Sequence, residues 1–338
     1  MNTDTRHQVH SRVRTGRCPE SAPARAESSL VRPANGFGKC RIGGFGWLAV
    51  TAMVVLAVSG PSAAPGQSAE GRSQLRFKTR SYAVRIDALV LHGGRPLVGL
   101  GPNDFRVVDN GVVQRVDVVS PESIPVDLIA VHDTSGSVSG ETFSELRSAL
   151  LKVIEQLRPQ DRAALVSFSQ NVEVTVGLTV DRGRFARRTA ALRPEGRTRL
   201  RDGVFAAMAL TADEGTRTLV LALSDGVDTG SWLDGEALLQ LCDRTDATVY
   251  AVLMGSEEIK RADRAVLTEV ARRTGGRAIA ARSADAVADV FQRVLSEFNS
   301  RYVLSYSPQP PTRGWHGVQV SLSGSSKKVV ARRGYWLE

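Results

Sequence analysis

From residue 75 to 120 the chain alternates: Tyr82, Val84, Ile86, Ala88 and Val90 fall on one face, Arg85 and Asp87 on the other. Successive strand side chains point to opposite faces, so a period of two predicts half-buried strands. Turn signals at His92-Gly93-Gly94 and Asp109-Asn110-Gly111 make those strands short and antiparallel. Past Pro125 the rhythm changes. Val126 to Val131 is a short apolar run, and Phe143, Leu146, Leu150, Val153, Ile154 and Leu157 then recur at helical spacing across 140–157. Apolar runs at 163–168, 172–176, 218–223, 248–253 and 277–280 follow, with helical stretches at 200–212, 233–242, 261–273 and 284–298. Apolar strands separated by amphipathic helices predict an α/β fold: a doubly wound, mainly parallel, Rossmann-like sheet covered on both faces. A hairpin near Gln170-Asn171 adds one antiparallel edge strand. After 300, β character returns at 302–306, 318–322 and 328–332. Neither β flank is large enough to bury a good core alone, so the two are expected to pack together as one small β unit. The expected division is a leader over 1–70, a β segment over 75–120, the α/β domain over 125–300 and a β tail over 301–338.

The leader changes the compartment. Its first forty residues are rich in Arg, Ser and Pro and lack periodicity, which predicts disorder. Residues 45–58 (FGWLAVTAMVVLAV) are uncharged and apolar, preceded by Lys39 and Arg41 and followed by small and polar residues. This stretch is shorter than the roughly twenty residues of a bilayer span and suits a signal-peptide core. Export follows, to the periplasm, the medium or a membrane surface, with the leader either cleaved or kept as an N-terminal anchor. Cys18 and Cys40 lie in the leader, so Cys242 stands alone in the folded part and forms no internal disulfide. Its helical spacing with Leu238 and Leu239 predicts core packing. The net charge of +9 over 338 residues favours acidic partners.

Candidate chemistry collects where apolar strands end. The run 126–131 leads into His132-Asp133-Thr134-Ser135-Gly136-Ser137, a carboxylate and two hydroxyls at two-residue intervals. Ligands of open α/β sheets bind at the carboxyl ends of strands. A second strand ends in Ser224-Asp225-Gly226, and Gly196-Arg197-Thr198 offers one more hydroxyl ahead of a helix. Asp133, Ser135, Ser137, Thr198 and Asp225 are all hard oxygen donors, which suits Mg²⁺, with Mn²⁺ or Ca²⁺ as alternatives, over zinc or copper. Five protein groups leave room for one outside ligand. The bland alternative is helix capping, with Ser139 as the cap ahead of Glu141 and Phe143.

The DTSGS at 133–137, GRT at 196–198 and SDG at 224–226 resemble the metal-ion-dependent adhesion site of von Willebrand factor A domains. The resemblance implies that Ser135 and Ser137 bind the metal directly. It implies that Thr198, Asp133 and Asp225 bind directly or through water, and that a Glu or Asp of a protein partner fills the open position. The flanks GLGPNDFRVVDNGVVQRV (99–116), LTEVARRTGGRA (267–278) and SRYVLSYSP (300–308) resemble a bacterial subgroup of secreted or anchored proteins of that family. Val138 and His132 depart from its usual residues without removing a ligand.

Eight arginines lie between 182 and 201. The first five read as a solvated helix face. Arg197 and Arg199 bracket Thr198 and read as a positive field that favours an acidic partner segment. A packed His132 and a turn role for Asp228 are the expected readings of those residues. The cluster holds a single aromatic residue, Phe185, and not the repeated aromatic interleaving of single-strand binders, so nucleic acid is not the expected partner. The expected function is Mg²⁺-dependent protein recognition or adhesion without catalysis; a metal-assisted hydrolase and a scaffold without metal are the alternatives. An Asp-x-Asp phosphatase needs a carboxylate at Ser135, and the G-x-S-x-G elbow is broken by Val138.

Overall fold

The computed structural model describes residues 83–119, 121–210, 215–224, 227–254, 261–281 and 283–338; the leader, with its apolar segment 45–58, lies outside them. Five strands come first: β1 (Val84–His92), β2 (Arg95–Pro96), β3 (Phe105–Asp109), β4 (Val112–Gln114) and β5 (Asp117–Val119). The central region runs β6 (Val126–Asp133), α1 (Glu141–Glu155), β7 (Arg162–Phe168), β8 (Val172–Thr179), α2 (Arg182–Ala191), α3 (Leu200–Ala209) and β9 (Arg217–Ser224). It continues through α4 (Gly235–Cys242), β10 (Thr248–Met254), α5 (Arg261–Arg273), β11 (Ala278–Ala281) and α6 (Ala284–Asn299). Four strands follow: β12 (Tyr302–Tyr306), β13 (Gly314–Leu322), β14 (Lys328–Val330) and β15 (Gly334–Leu337).

Every residue of β6 and of β9 is buried, as central strands covered on both faces must be. Alternate side chains serve opposite layers. Leu128 and Ala130 pack with Phe143, Leu146, Phe185 and Phe291 from α1, α2 and α6. Ile129 and Val131 pack with Leu200, Val204, Leu238 and Leu267 from α3, α4 and α5. The sheet order is β11-β10-β9-β6-β7-β8, parallel except for the edge strand β8. The chain leaves β6 towards β7 and later returns on its other side at β9. Strand order reverses at β6, and the loops after β6 and β9 open the crevice that such a reversal creates.

The amino ends of these strands are held by charge. Asp127 accepts hydrogen bonds from Arg162 at 2.7 and 2.6 Å and from the Thr216 hydroxyl at 2.8 Å. The flanking strands attach at this same edge: Arg217 Nε lies 3.0 Å from Asp87 Oδ1, and Arg217 Nη2 donates to the Phe298 carbonyl at 2.9 Å. Buried Arg301 donates to the Asp87 and Gly275 carbonyls and to the Tyr250 hydroxyl.

The flanks form two sheets, ordered β14-β1-β12-β5, with β2 beside β1, and β15-β13-β3-β4. β1 and β12 pair antiparallel from Val84↔Tyr306 to Ala88↔Tyr302. Ile86, Val90, Phe105, Val107, Leu304 and Val318 fill the space between the sheets. The tail contributes four strands where the sequence pattern suggested three. Short β15 buries only part of its length, so no alternation announces it. Helix α2 is likewise absent from the apolar pattern, because Phe185 is its one large buried side chain. Ser139 is not the cap of α1. Gly140 occupies that position at φ 73° with no side-chain cap, and Ser139 lies one residue upstream, at the end of the 3-10 turn Gly136–Val138.

Candidate metal centre

Asp133 ends β6 fully buried, and its Oδ1 accepts the Ser135 N–H at 2.8 Å. This bond folds the chain back on itself. The Ser135 and Ser137 hydroxyl oxygens then lie 2.8 Å apart, the first buried and the second exposed. Thr134 points elsewhere: its N–H and its hydroxyl both donate to the Phe168 carbonyl, at 2.9 and 3.0 Å, tying the loop to β7.

Two further loops are stitched to this one through the backbone. Glu195 N donates to Thr134 O at 2.8 Å and Gly136 N to Gly196 O at 3.2 Å, which aligns the 195–198 segment with the serine loop. Gly196 sits at φ +76°, a conformation that favours glycine, and a Cβ there would lie 3.2 Å from the exposed Gln170 side chain. Thr198 is buried; its N–H donates to Thr229 Oγ1 and its carbonyl accepts from Thr229 N and Gly230 N, each at 3.0 Å. Asp225 lies outside the described residues, between Ser224 at the end of β9 and Val227. Asp133, Ser135 and Ser137 therefore share one loop, and the loop bearing Thr198 is bonded to it.

The donor set suits a hard divalent cation. Neighbouring oxygens of an octahedral Mg²⁺ shell with bonds of about 2.1 Å lie about 3 Å apart. The two serine oxygens, at 2.8 Å, match such an edge.

Two aspartates that the sequence pattern did not mark as a pair hold the third loop. Asp228 is buried and accepts from Arg201 N at 2.9 Å, Gly230 N at 3.2 Å, Ser231 N at 3.0 Å and Ser231 Oγ at 2.5 Å. Arg201 Nη2 lies 3.3 Å from Asp228 Oδ1, the oxygen that also accepts the Gly230 and Ser231 N–H groups. Burial pushes the Asp228 carboxyl up, but the bonds from Arg201 and Ser231, with the Arg201 charge, outweigh burial and hold it below the usual carboxylate range. Asp202, in the first turn of α3, accepts the N–H groups of Trp232 and Leu233 at 3.0 Å each. The Gly230 and Ser231 donors, two and three residues on, give Asp228 the turn role expected from its sequence, whereas Arg201 lies 27 residues from Asp228 and Trp232 lies 30 from Asp202, so no local motif reveals those bonds.

Arg197 is exposed beside Thr198. Arg199 is half-buried, with Nη1 3.8 Å from Asp202 Oδ2 and its guanidinium 5.4 Å from the Trp232 ring centre. Arg201 is committed to Asp228. Arg182 departs from a solvated helix face: its Nη2 donates to the Arg158 and Asp161 carbonyls at 3.1 and 2.6 Å. His132 is buried with its ring centre 5.3 Å from that of Phe143, and burial, then the Arg147 charge, lowers its pKa to about 4. Cys242 is buried against α3, α4 and α5 in the core, and burial pushes its thiol up to about 12.

Residues 128–227 match the family model of the von Willebrand factor type A domain. Bovine inter-alpha-trypsin inhibitor heavy chain H4 is 30% identical over 159 residues, 43% of this chain and 16% of that protein. Its human counterpart is 30% identical over 144 residues, 36% of this chain and 15% of that one. This chain thus spans only a small part of these relatives' length. Among solved structures, the vWF domain of the type V pili tip protein Mfa5 from Porphyromonas gingivalis has a TM-score of 0.41 at 11% identity. That match covers 52% of this chain and 97% of the other. The family-model match runs from β6 to just beyond β9, the two strands whose ends frame the crevice, and this chain carries a von Willebrand factor type A domain.

Proposed function

We propose that this chain recognises a protein partner outside the cytoplasm through one divalent cation, Mg²⁺ or alternatively Mn²⁺ or Ca²⁺, held by Asp133, Ser135, Ser137, Thr198 and Asp225. One observation carries the reading: two serine oxygens lie 2.8 Å apart at the carboxyl edge of the sheet, in a loop bonded through its backbone to the Thr198 loop. Three of the five groups are neutral hydroxyls, and the cation, when bound, would offer its remaining position as an electrophilic point to a partner's carboxylate. The chain's own residues hold that point still. Asp133 Oδ1 fixes Ser135 through its N–H, Thr134 ties the loop to β7, and Thr229 and Gly230 hold Thr198. Arg197 and Arg199 add positive charge on the partner's approach. The place outside the cytoplasm rests on the apolar leader segment 45–58. Recognition needs no catalytic group, and the chain is proposed to be an adhesion or binding protein rather than an enzyme.

Calorimetric titration of MgCl₂ into the full-length chain tests the reading. One site is expected, with Asp133→Ala and Ser135→Ala weakening it about tenfold or more. Unchanged isotherms in both variants overturn it. Turnover of generic esters or phosphates by the Mg²⁺-loaded chain would favour a hydrolase instead.

A further inference from the structure

Trp232 leaves 83% of its surface in solvent, the most exposed large apolar side chain among the described residues. A single exposed apolar side chain is ordinary, but this indole borders a groove with Phe205, Val172 and Leu233. Its loop is nevertheless firmly held. The Trp232 and Leu233 N–H groups bond Asp202, Asp202 N donates to Ser231 Oγ at 3.2 Å, and Ser231 is gripped by Asp228. The ring is thus presented by a fixed backbone, so little ordering is lost when a partner covers it. Trp and Arg are the residues that most often anchor interfaces, and here Arg199 flanks the indole.

Between Trp232, Phe205, Val172 and Leu233 runs an open groove of 690 Å³, with Arg199 and Asn171 on its walls. It adjoins the hydroxyl cluster along the chain: Arg199 follows Thr198, and Gly230, two residues before Trp232, donates to the Thr198 carbonyl. Asp202 lines the groove, but both its oxygens accept backbone bonds from the Trp232 loop. Arg199 lies 3.8 Å from Asp202 across this wall, so the excess positive charge beside the groove is that of exposed Arg197, next to Thr198.

We propose that this groove is the specificity pocket of the domain, and that it takes a bulky apolar side chain from an acidic segment of a protein partner. The segment would place its carboxylate at the serine hydroxyls and its apolar residue against Trp232 and Phe205. Gly230, two residues before Trp232, is bonded to Thr198, and Gly196 is bonded to Gly136 of the serine loop, so the two positions are expected close together in the segment. Exposed Arg197, beside Thr198, favours an acidic segment over a neutral one. The inference rests on the metal-site reading above, and the two fail separately.

The test uses a phage-displayed library of random short peptides. It is selected in Mg²⁺ on the immobilised full-length chain and, in parallel, on Trp232→Ala and Ser135→Ala. Enriched peptides are then made and titrated by fluorescence anisotropy, with and without EDTA. The expected result is an acidic residue joined at fixed spacing to an aromatic or branched apolar one. Trp232→Ala should weaken such peptides about tenfold or more. Versions with glycine at the apolar position should bind wild type and Trp232→Ala alike. Because the side chain is exposed, this variant keeps its fold, which circular dichroism verifies. Acidic peptides without an apolar position, or equal affinity for wild type and Trp232→Ala, overturn the groove and leave the metal site standing. An apolar motif that survives EDTA and Ser135→Ala but needs Trp232 overturns the metal site and keeps the groove. No enrichment on wild type overturns the proposal.

Discussion

Replacing Asp228 by asparagine removes a charge on which four donor groups from α3 and the 230–231 turn converge, with a fifth 3.3 Å away. Hydrogen bonds to a charged group contribute about 1.5–3 kcal/mol each, and bonds that share one acceptor do not add. An asparagine keeps one oxygen but turns an NH₂ towards donors at the other. Either Arg201 N and Ser231 Oγ, or Gly230 N, Ser231 N and Arg201 Nη2, then face a donor. About 3 kcal/mol of destabilisation is expected, or a fall in Tm of about 6–12 °C for a chain of this size. The pH dependence fixes the cause. Asp228 is held below the usual carboxylate range when folded, so it binds its proton less readily folded than unfolded. Its contribution is fully present above the unfolded pKa of about 3.9 and is lost as pH falls through the lower, folded value. Urea unfolding of wild type and Asp228→Asn should therefore differ by a constant amount from about pH 8 to about pH 5, and converge below about pH 4. An Asp228→Asn protein within about 0.5 kcal/mol of wild type at neutral pH would refute the reasoning, as would a gap that widens on acidification.

Gly196→Ala forces a left-handed backbone on a residue with a Cβ and crowds Gln170, so a loss of about 1–2 kcal/mol is expected in urea unfolding. Asp87→Ala leaves the buried Arg217 guanidinium without its carboxylate, and chemical denaturation should show a cost of about 3 kcal/mol or more. Cys242, buried and pushed up to about 12, should resist iodoacetamide near pH 8 in a Cys18→Ser/Cys40→Ser background and react fully in urea. Arg197→Glu should weaken binding of the acidic peptides selected above and blunt its salt dependence, while leaving Tm within about 1 °C, since the side chain is exposed.

What the sequence made legible is what repeats or stands together along the chain. β6 and β9 are uninterrupted apolar runs because both faces are covered, and α1 shows its stripe of Phe143, Leu146, Leu150 and Val153 because one face is. Asp133, Ser135 and Ser137 stand within five residues, so their convergence on one loop could be read directly. The groups that hold that loop could not. Thr134 reaches Phe168 across 34 positions, and Asp202 reaches Trp232 across 30. Arg217 finds Asp87 at a distance of 130 residues, and His316 finds Asp109 at 207, with Tyr306 and Tyr335 on the same carboxylate. Such pairs exist only once the sheets have formed, and single charged residues in a sequence look alike whether paired or solvated. The pairing of β1 with β12 is of the same kind, since alternation marks a strand but not its neighbour.

The central sheet separates holding from offering. Its amino edge is built from charge pairs: Asp127 with Arg162 joins β6 to β7, and Arg217 with Asp87 joins β9 to the flanking strand β1. At the carboxyl edge, about 20 Å from Asp127 along β6, the loops are joined mainly through main-chain groups, with Asp133, Thr134, Asp202, Asp228 and Thr229 as side-chain clamps. None of those joins uses the Ser135 hydroxyl, the Ser137 hydroxyl or the Trp232 ring. The two hydroxyls face each other, and the ring faces solvent against Arg199. A protein that needed these side chains for its fold would have engaged them in it. Because the fold is secured by other groups, Ser135, Ser137 and Trp232 can be changed one at a time with the loops left in place, so a loss of binding in those variants reports on the ligand rather than on the scaffold.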